Sequence, residues 1–207
     1  MATETLNELF RQRRVWKGGQ APAGGRCIGT GFTSLDGILP YGGWPPGAVT
    51  EITVSDWGIG ELSLFLPLMA HYNRNDRYVS WIAPPHTPYP PALAAAGLDL
   101  SLCRVLRNPD RDSQVLWCAE KLLQSSACGL VLAWPRTLPG RAVRRLQLAV
   151  EKGDASCLLL RREGSARAWD GSPATMRLRL NRVAAGLKLE ILKARGTCRY
   201  SGIILDI

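Results

Sequence analysis

Paired metal ligands, long apolar runs and acidic charge are all scarce in this 207-residue chain. Its six cysteines, at 27, 103, 118, 128, 157 and 198, form no CxxC pair, and only His71 and His86 stand by to help them. Zinc is therefore not expected, and cysteines inside apolar segments read as small core hydrophobes. No stretch approaches ~18 uninterrupted apolar residues, and the N-terminal stretch lacks the apolar core of a signal peptide, so neither a membrane span nor export is expected. Free thiols without a leader point to a reducing cytoplasm. Acidic residues number 17 against 26 Lys and Arg, which leaves a formal charge of +9.

What is present is the material for one α/β domain. With 46% hydrophobic residues the chain is long enough to bury one good core and too short for two. Apolar periodicity predicts strands at 48–54, 78–83, 103–106, 129–133 and 156–161, alternating with helices at 61–73, 90–96, 112–125 and 140–152. That alternation implies right-handed crossovers and a mostly parallel sheet covered on both faces. Residues 175–180 and 186–193 alternate with period two and read as a closing antiparallel hairpin, with 202–205 as an edge strand or a tail.

Ahead of this core (26–207), residues 1–25 read as a separate unit. Leu6, Leu9 and Phe10 share the apolar face of a short helix over 3–16, followed by the Gly/Pro-rich linker KGGQAPAGGR. A lone amphipathic helix must bury that face, either on its own core or on a neighbouring subunit.

The strand at 48–54 runs into SDWGIGE and then into an apolar helix start, the layout of a phosphate-binding loop. Such a loop, GxxxxGK[ST], wraps backbone N–H groups around phosphate, neutralises it with lysine and ligates magnesium with a hydroxyl. Here Val54 takes the opening glycine position, Glu61 follows Gly60 where the lysine belongs, and Leu62 replaces the hydroxyl. A carboxylate repels a triphosphate and leucine cannot hold a metal, so Gly58 and Gly60 read as a tight strand-to-helix turn.

Just upstream, Thr30-Gly31, Leu35-Asp36, Leu39, Gly42-Gly43, Pro45, Gly47 and Glu51-Ile52 stand in the order TG-x-x-x-LD-x-x-L-x-x-GG-x-P-x-G-x-x-x-EI. This run resembles the segment before the phosphate loop of the RecA recombinase family and, within it, the ImuA family of RecA-like accessory proteins of bacterial mutagenic translesion synthesis. The likeness covers roughly 28–196. It implies a RecA-like core and places the water-activating acid at Ala83-Pro84-Pro85 and the magnesium-orienting Asp at Ala133. With phosphate grip, metal and water activation all lost, the expectation is a pseudo-ATPase with no cofactor.

The resemblance further implies an adaptor in the SOS response to DNA damage. It would link RecA recombinase, or the end of its filament, to an inactive Y-family polymerase homologue (ImuB-like) and an error-prone replicative-type polymerase. The alternative is a SulA-like inhibitor that binds the division tubulin. In recombinases two basic residues on a late strand reach the neighbouring subunit's γ-phosphate; Lys193 and Arg195 occupy those places, and a solvated strand edge explains them equally well.

Charge is concentrated late, with fourteen Lys and Arg against six Asp and Glu in residues 141–207. Arg141, Arg144 and Arg145 share one face of the predicted helix 140–152, opposite Val143, Leu146, Leu148 and Val150. In the loop after the fifth strand, Arg161, Arg162, Arg167 and Trp169 suit weak contact with single-stranded DNA. A flexible basic hairpin tip accounts for the same residues.

Overall fold

The computed structural model describes residues 27–40, 42–107, 111–164, 172–194 and 200–207, without the side chains of Tyr200 and Ser201. Leu6, Leu9, Phe10, Arg167, Trp169 and Arg195 lie outside them, as does Cys198. In chain order the elements are α1 (Thr33–Asp36), β1 (Val49–Val54), α2 (Glu61–Asn73), β2 (Tyr78–Ile82), α3 (Pro90–Ala95), a 3-10 turn (Leu100–Leu102) and β3 (Cys103–Leu106). There follow α4 (Asp112–Leu123), β4 (Cys128–Ala133), α5 (Gly140–Gly153), β5 (Ser156–Arg162), β6 (Met176–Val183), β7 (Gly186–Ala194) and β8 (Tyr200–Leu205).

All eight strands join one sheet in the order β3-β2-β4-β5-β1-β6-β7-β8. Every pair from β3 to β6 is parallel, and β7 runs antiparallel to both β6 and β8. The expected hairpin is therefore β6–β7, and 202–205 belongs to an edge strand. Because β1, β2, β4 and β5 are parallel, the turns that leave them emerge at one carboxyl edge, where open α/β sheets bind ligands.

Two apolar layers sandwich the sheet. On one face Ile52, Leu158, Leu178 and Leu189 pack with Leu64, Phe65 and Leu68 of α2. On the other, Val49, Val131 and Leu159 pack with Val115 of α4 and with Val143, Leu146 and Val150 of α5. Gly129 lets Tyr72 of α2 lie against β4, since a Cβ there would sit 2.3 Å from Tyr72 Cδ1. Arg77 pins the far edge: its guanidinium donates to the carbonyls of Cys128 (2.6 Å), Gly153 (2.7 Å) and Asp154 (2.5 Å), so a cation meets the carbonyl end of α5.

Two details differ from the sequence reading. Leu148 is 63% exposed rather than on the packing face of α5; Gln147 is buried in its place, accepting from Val49 N–H at 3.1 Å and donating to the Gly47 carbonyl at 3.0 Å. The four-residue α1 is too short to show a helical apolar period. The cysteines divide by position: Cys128 and Cys157 are buried, whereas Cys27 is exposed. Burial pushes the Cys157 thiol far up, which makes it inert.

Candidate functional site

The run from Ile28 to Gly47 folds back along the start of β1. Ile28 and Trp44 exchange backbone hydrogen bonds of 2.9 and 2.7 Å, and Thr30 N–H donates to Asp36 Oδ1 at 2.9 Å. Leu35, Leu39 and Trp44 enter the core, with the Trp44 ring 5.5 Å from that of Phe65. Gly43 is required by contact, because a Cβ would lie 2.4 Å from the Ile28 carbonyl oxygen. Each of these motif positions thus has a packing role that needs no ligand.

The turn after β1 is built differently. Val54 ends the strand, and five residues separate it from Gly60, one more than the four between the two glycines of a phosphate loop. Gly58 (φ +76°) and Gly60 (φ +97°) take left-handed conformations that disfavour other residues. Glu61, the first residue of α2, is buried, and its Oε1 accepts the Gly58 N–H at 3.2 Å. A carboxylate of the chain itself therefore sits at the positive end of the α2 dipole, on a backbone donor that in a phosphate loop would face an anionic ligand. Leu62 lines the adjoining cavity, and Arg182 and Ile207 approach Gly60 within 3.6 Å of the position a Cβ would take.

Ala83, the first of the three residues that the resemblance matched to the water-activating acid, has φ +54° and leads into Pro84. Ala133 is fully buried at the end of β4 and offers only a methyl group. Next to it, Asp112 of α4 holds the following loop, accepting from the amides of Arg136 (2.9 Å) and Thr137 (2.8 Å) and from the Thr137 hydroxyl (2.7 Å). Burial raises this carboxyl, but those hydrogen bonds and the Arg136 charge outweigh it and hold the group below its ordinary value.

Two adjoining cavities open along this edge. One of about 260 Å³ is lined chiefly by Gly58, Gly60, Leu62, Trp81, Pro88 and Trp134. A larger one of about 750 Å³ shares Pro84, Pro85 and Trp134 and adds Trp57, Arg107, Arg111, Asp112 and Arg136. The sequence reading named Ala133 and made nothing of the tryptophan beside it or of the others that line these cavities. Their one signal was position, with Trp134 directly after β4 and Trp57 three residues after the end of β1. No group of His, Cys, Asp and Glu suited to a metal occurs among the described residues, and no described helix is long and apolar enough to cross a membrane.

Of the expected DNA residues, Arg167 and Trp169 lie outside the described residues, and Arg161 and Arg162 belong to a strand rather than to the loop after it. Arg161 and Arg162 close β5, and neighbouring strand residues point to opposite faces. Arg161 is half-buried beside Glu51 and Arg177, and its desolvation weakens its hold on the proton, with Glu51 acting against that. Arg162 is exposed and pairs with Asp56 at 3.2 Å. Lys193 pairs across the ladder with Arg177, and its Nζ donates to the Ser172 carbonyl at 2.6 Å. Arg141, Arg144 and Arg145 are exposed on α5, Arg145 in an ion pair with Glu120.

No protein-family model matches the chain. It is 27% identical over 158 residues to protein RecA of Chlorobium chlorochromatii, which covers 75% of this chain and 43% of that protein. It is 26% identical over 184 residues to protein RecA of Chlorobaculum tepidum, covering 77% of this chain and 53% of that one. Among solved structures, SulA from Pseudomonas aeruginosa aligns with a TM-score of 0.47 at 25% identity, covering 56% of this chain and 99% of SulA. The chain spans about half the length of the RecA proteins it matches. It is a distant relative of RecA with a RecA-like α/β core.

Proposed function

We propose that this chain is a non-catalytic RecA-like accessory protein of SOS-induced mutagenic translesion synthesis, one that keeps the recombinase scaffold and has given up its nucleotide. The observation that carries the first half of this reading is the Glu61 carboxylate on the Gly58 N–H. It places negative charge where a triphosphate needs positive, and Leu62 and Ala133 supply neither metal ligand nor general base. The RecA likeness over three quarters of the chain supports a partner in recombination.

The reading joins RecA to the inactive Y-family polymerase homologue and the error-prone polymerase. The helix bearing Leu6, Leu9 and Phe10 and the cations Lys193 and Arg195 are its candidate contacts. Lys193 is held within its own chain by the Ser172 carbonyl, so reaching a neighbour's phosphate requires releasing that bond. Pull-down with purified RecA, the polymerase homologue and the division tubulin tests the assignment. Retention of the first two supports the adaptor, and retention of the tubulin alone replaces it with the SulA-like inhibitor. Lys193→Ala with Arg195→Ala weakens RecA retention in ATP and leaves it little changed in ADP if the cations meet a γ-phosphate.

A further inference from the structure

We propose that the paired cavities at the carboxyl edge form a docking cleft for an acidic partner segment that inserts a large apolar side chain between Trp81 and Trp134. This rests on the reading that the same edge takes no nucleotide, and it names what the edge holds instead.

The smaller cavity sets the anchor. Its volume of about 260 Å³ far exceeds the ~30 Å³ share of one water, and its walls are mainly indole, proline and leucine, with Glu61, Ser63 and His86 as the polar lining that keeps the partner's acidic groups on the arginine side. Five buried side-chain N–H groups lack a hydrogen-bond partner among the described residues, those of Trp44, Arg77, Trp81, Trp134 and Arg179. Two of them, Trp81 and Trp134, belong to indoles that line this cavity. Trp81 is 0% and Trp134 8% exposed, so they are walls with donors to satisfy rather than open plates for stacking bases. Their Nε1 atoms are themselves buried, so a backbone carbonyl that follows the anchor reaches them only as the walls part around it.

The adjoining cavity sets the charge. Arg107, Arg111 and Arg136 line it against the single carboxylate of Asp112, whose oxygens are already engaged by Arg136 N–H, Thr137 N–H and the Thr137 hydroxyl. Three exposed guanidinium groups beside an apolar hole complement aspartates or glutamates flanking an aromatic or leucine anchor. An apolar anchor within a charged rim is the usual anatomy of a binding hot spot.

Fluorescence anisotropy with a labelled peptide carrying a Leu-Phe pair flanked by aspartates tests this. Saturable binding is expected, weakened at least about tenfold by exposed-site reversals Arg107→Glu with Arg136→Glu, and also when alanines replace the Leu-Phe pair. Reversing Arg141 and Arg144 on α5 leaves it unchanged, and the indole N–H resonances of Trp81 and Trp134 shift on binding. Absence of binding, an equal loss from the α5 reversals, or undiminished binding of the alanine peptide overturns the proposal. Displacement by an oligothymidine single strand, with the same dependence on Arg107 and Arg136, gives the cleft to nucleic acid and overturns it too. Displacement by magnesium-ATP brings down the nucleotide-free reading as well. Failure of the peptide while calorimetry detects no ATP binding rejects the docking cleft alone.

Discussion

The segments on either side of β1 have had different fates. Before it, Ile28–Gly47 keeps the family pattern, and nearly every matching residue is fixed by contact: Leu35 fully buried, Thr30 bonded to Asp36, Gly43 pressed on the Ile28 carbonyl. After it, the turn to Leu62 holds two glycines and carries Glu61 and Leu62 where a phosphate loop has a lysine and a hydroxyl. Core packing constrains the first segment whatever the protein does, because the cost of a cavity or clash does not depend on a ligand. In the second, a Cβ at Gly58 would meet no atom within 4 Å, and the Glu61 carboxylate satisfies the turn's own backbone without a ligand.

Substitutions can break or sharpen that contrast. The largest effects belong before β1: Leu35→Ala should cost about 2–5 kcal/mol and Gly43→Ala about 1–3 kcal/mol or more, read as urea midpoint shifts. After β1, Gly58→Ala meets no atom within 4 Å and should cost about 1–2 kcal/mol, the penalty of its left-handed backbone alone. Equal losses at Leu35 and Gly58 would erase the distinction.

Asp112→Asn should cost about 1–2 kcal/mol by weakening the hydrogen bonds that hold the loop after β4. Because the Asp112 carboxyl is held below its ordinary value in the folded protein, its contribution is present above the unfolded value near pH ~4 and lost as pH falls through the folded one. Stability of the variant should therefore fall less steeply than wild type in acid below about pH 4. Identical acid profiles would mean that Asp112 is no better stabilised in the fold than in the open chain.

A stability loss of the same order is expected at the heart of the turn. Glu61→Lys removes the bond to Gly58 and puts a cation at the positive end of α2, a loss of about 1–2 kcal/mol. It should leave the fold intact and restore no ATP hydrolysis, since Leu62 and Ala133 still offer no metal site. Recovered turnover would show that charge alone separated this turn from a working loop.

The fold was largely legible because most strands and helices carry an apolar pattern and a breaker of their own, the short α1 being the exception. Helix 61–73 was placed to the residue, and the strand expected over 78–83 stops at Ile82 because Ala83 turns left-handed. Where a side chain points was harder to read: Leu148 looked apolar enough to pack, yet Gln147 takes the interior through long-range hydrogen bonds that no local pattern shows. In the turn after β1 the identities of Glu61 and Leu62 were plain from the sequence, whereas the bond from the Gly58 N–H to Glu61 was not. Nor was the tryptophan-lined cleft, because Trp57, Trp81 and Trp134 are brought together only by the strand order of the sheet.

Titration calorimetry of the purified chain with magnesium-ATP tests the central claim most directly. The account predicts no saturable heat at concentrations where ATP-hydrolysing RecA-type proteins bind; micromolar, magnesium-dependent binding would contradict it.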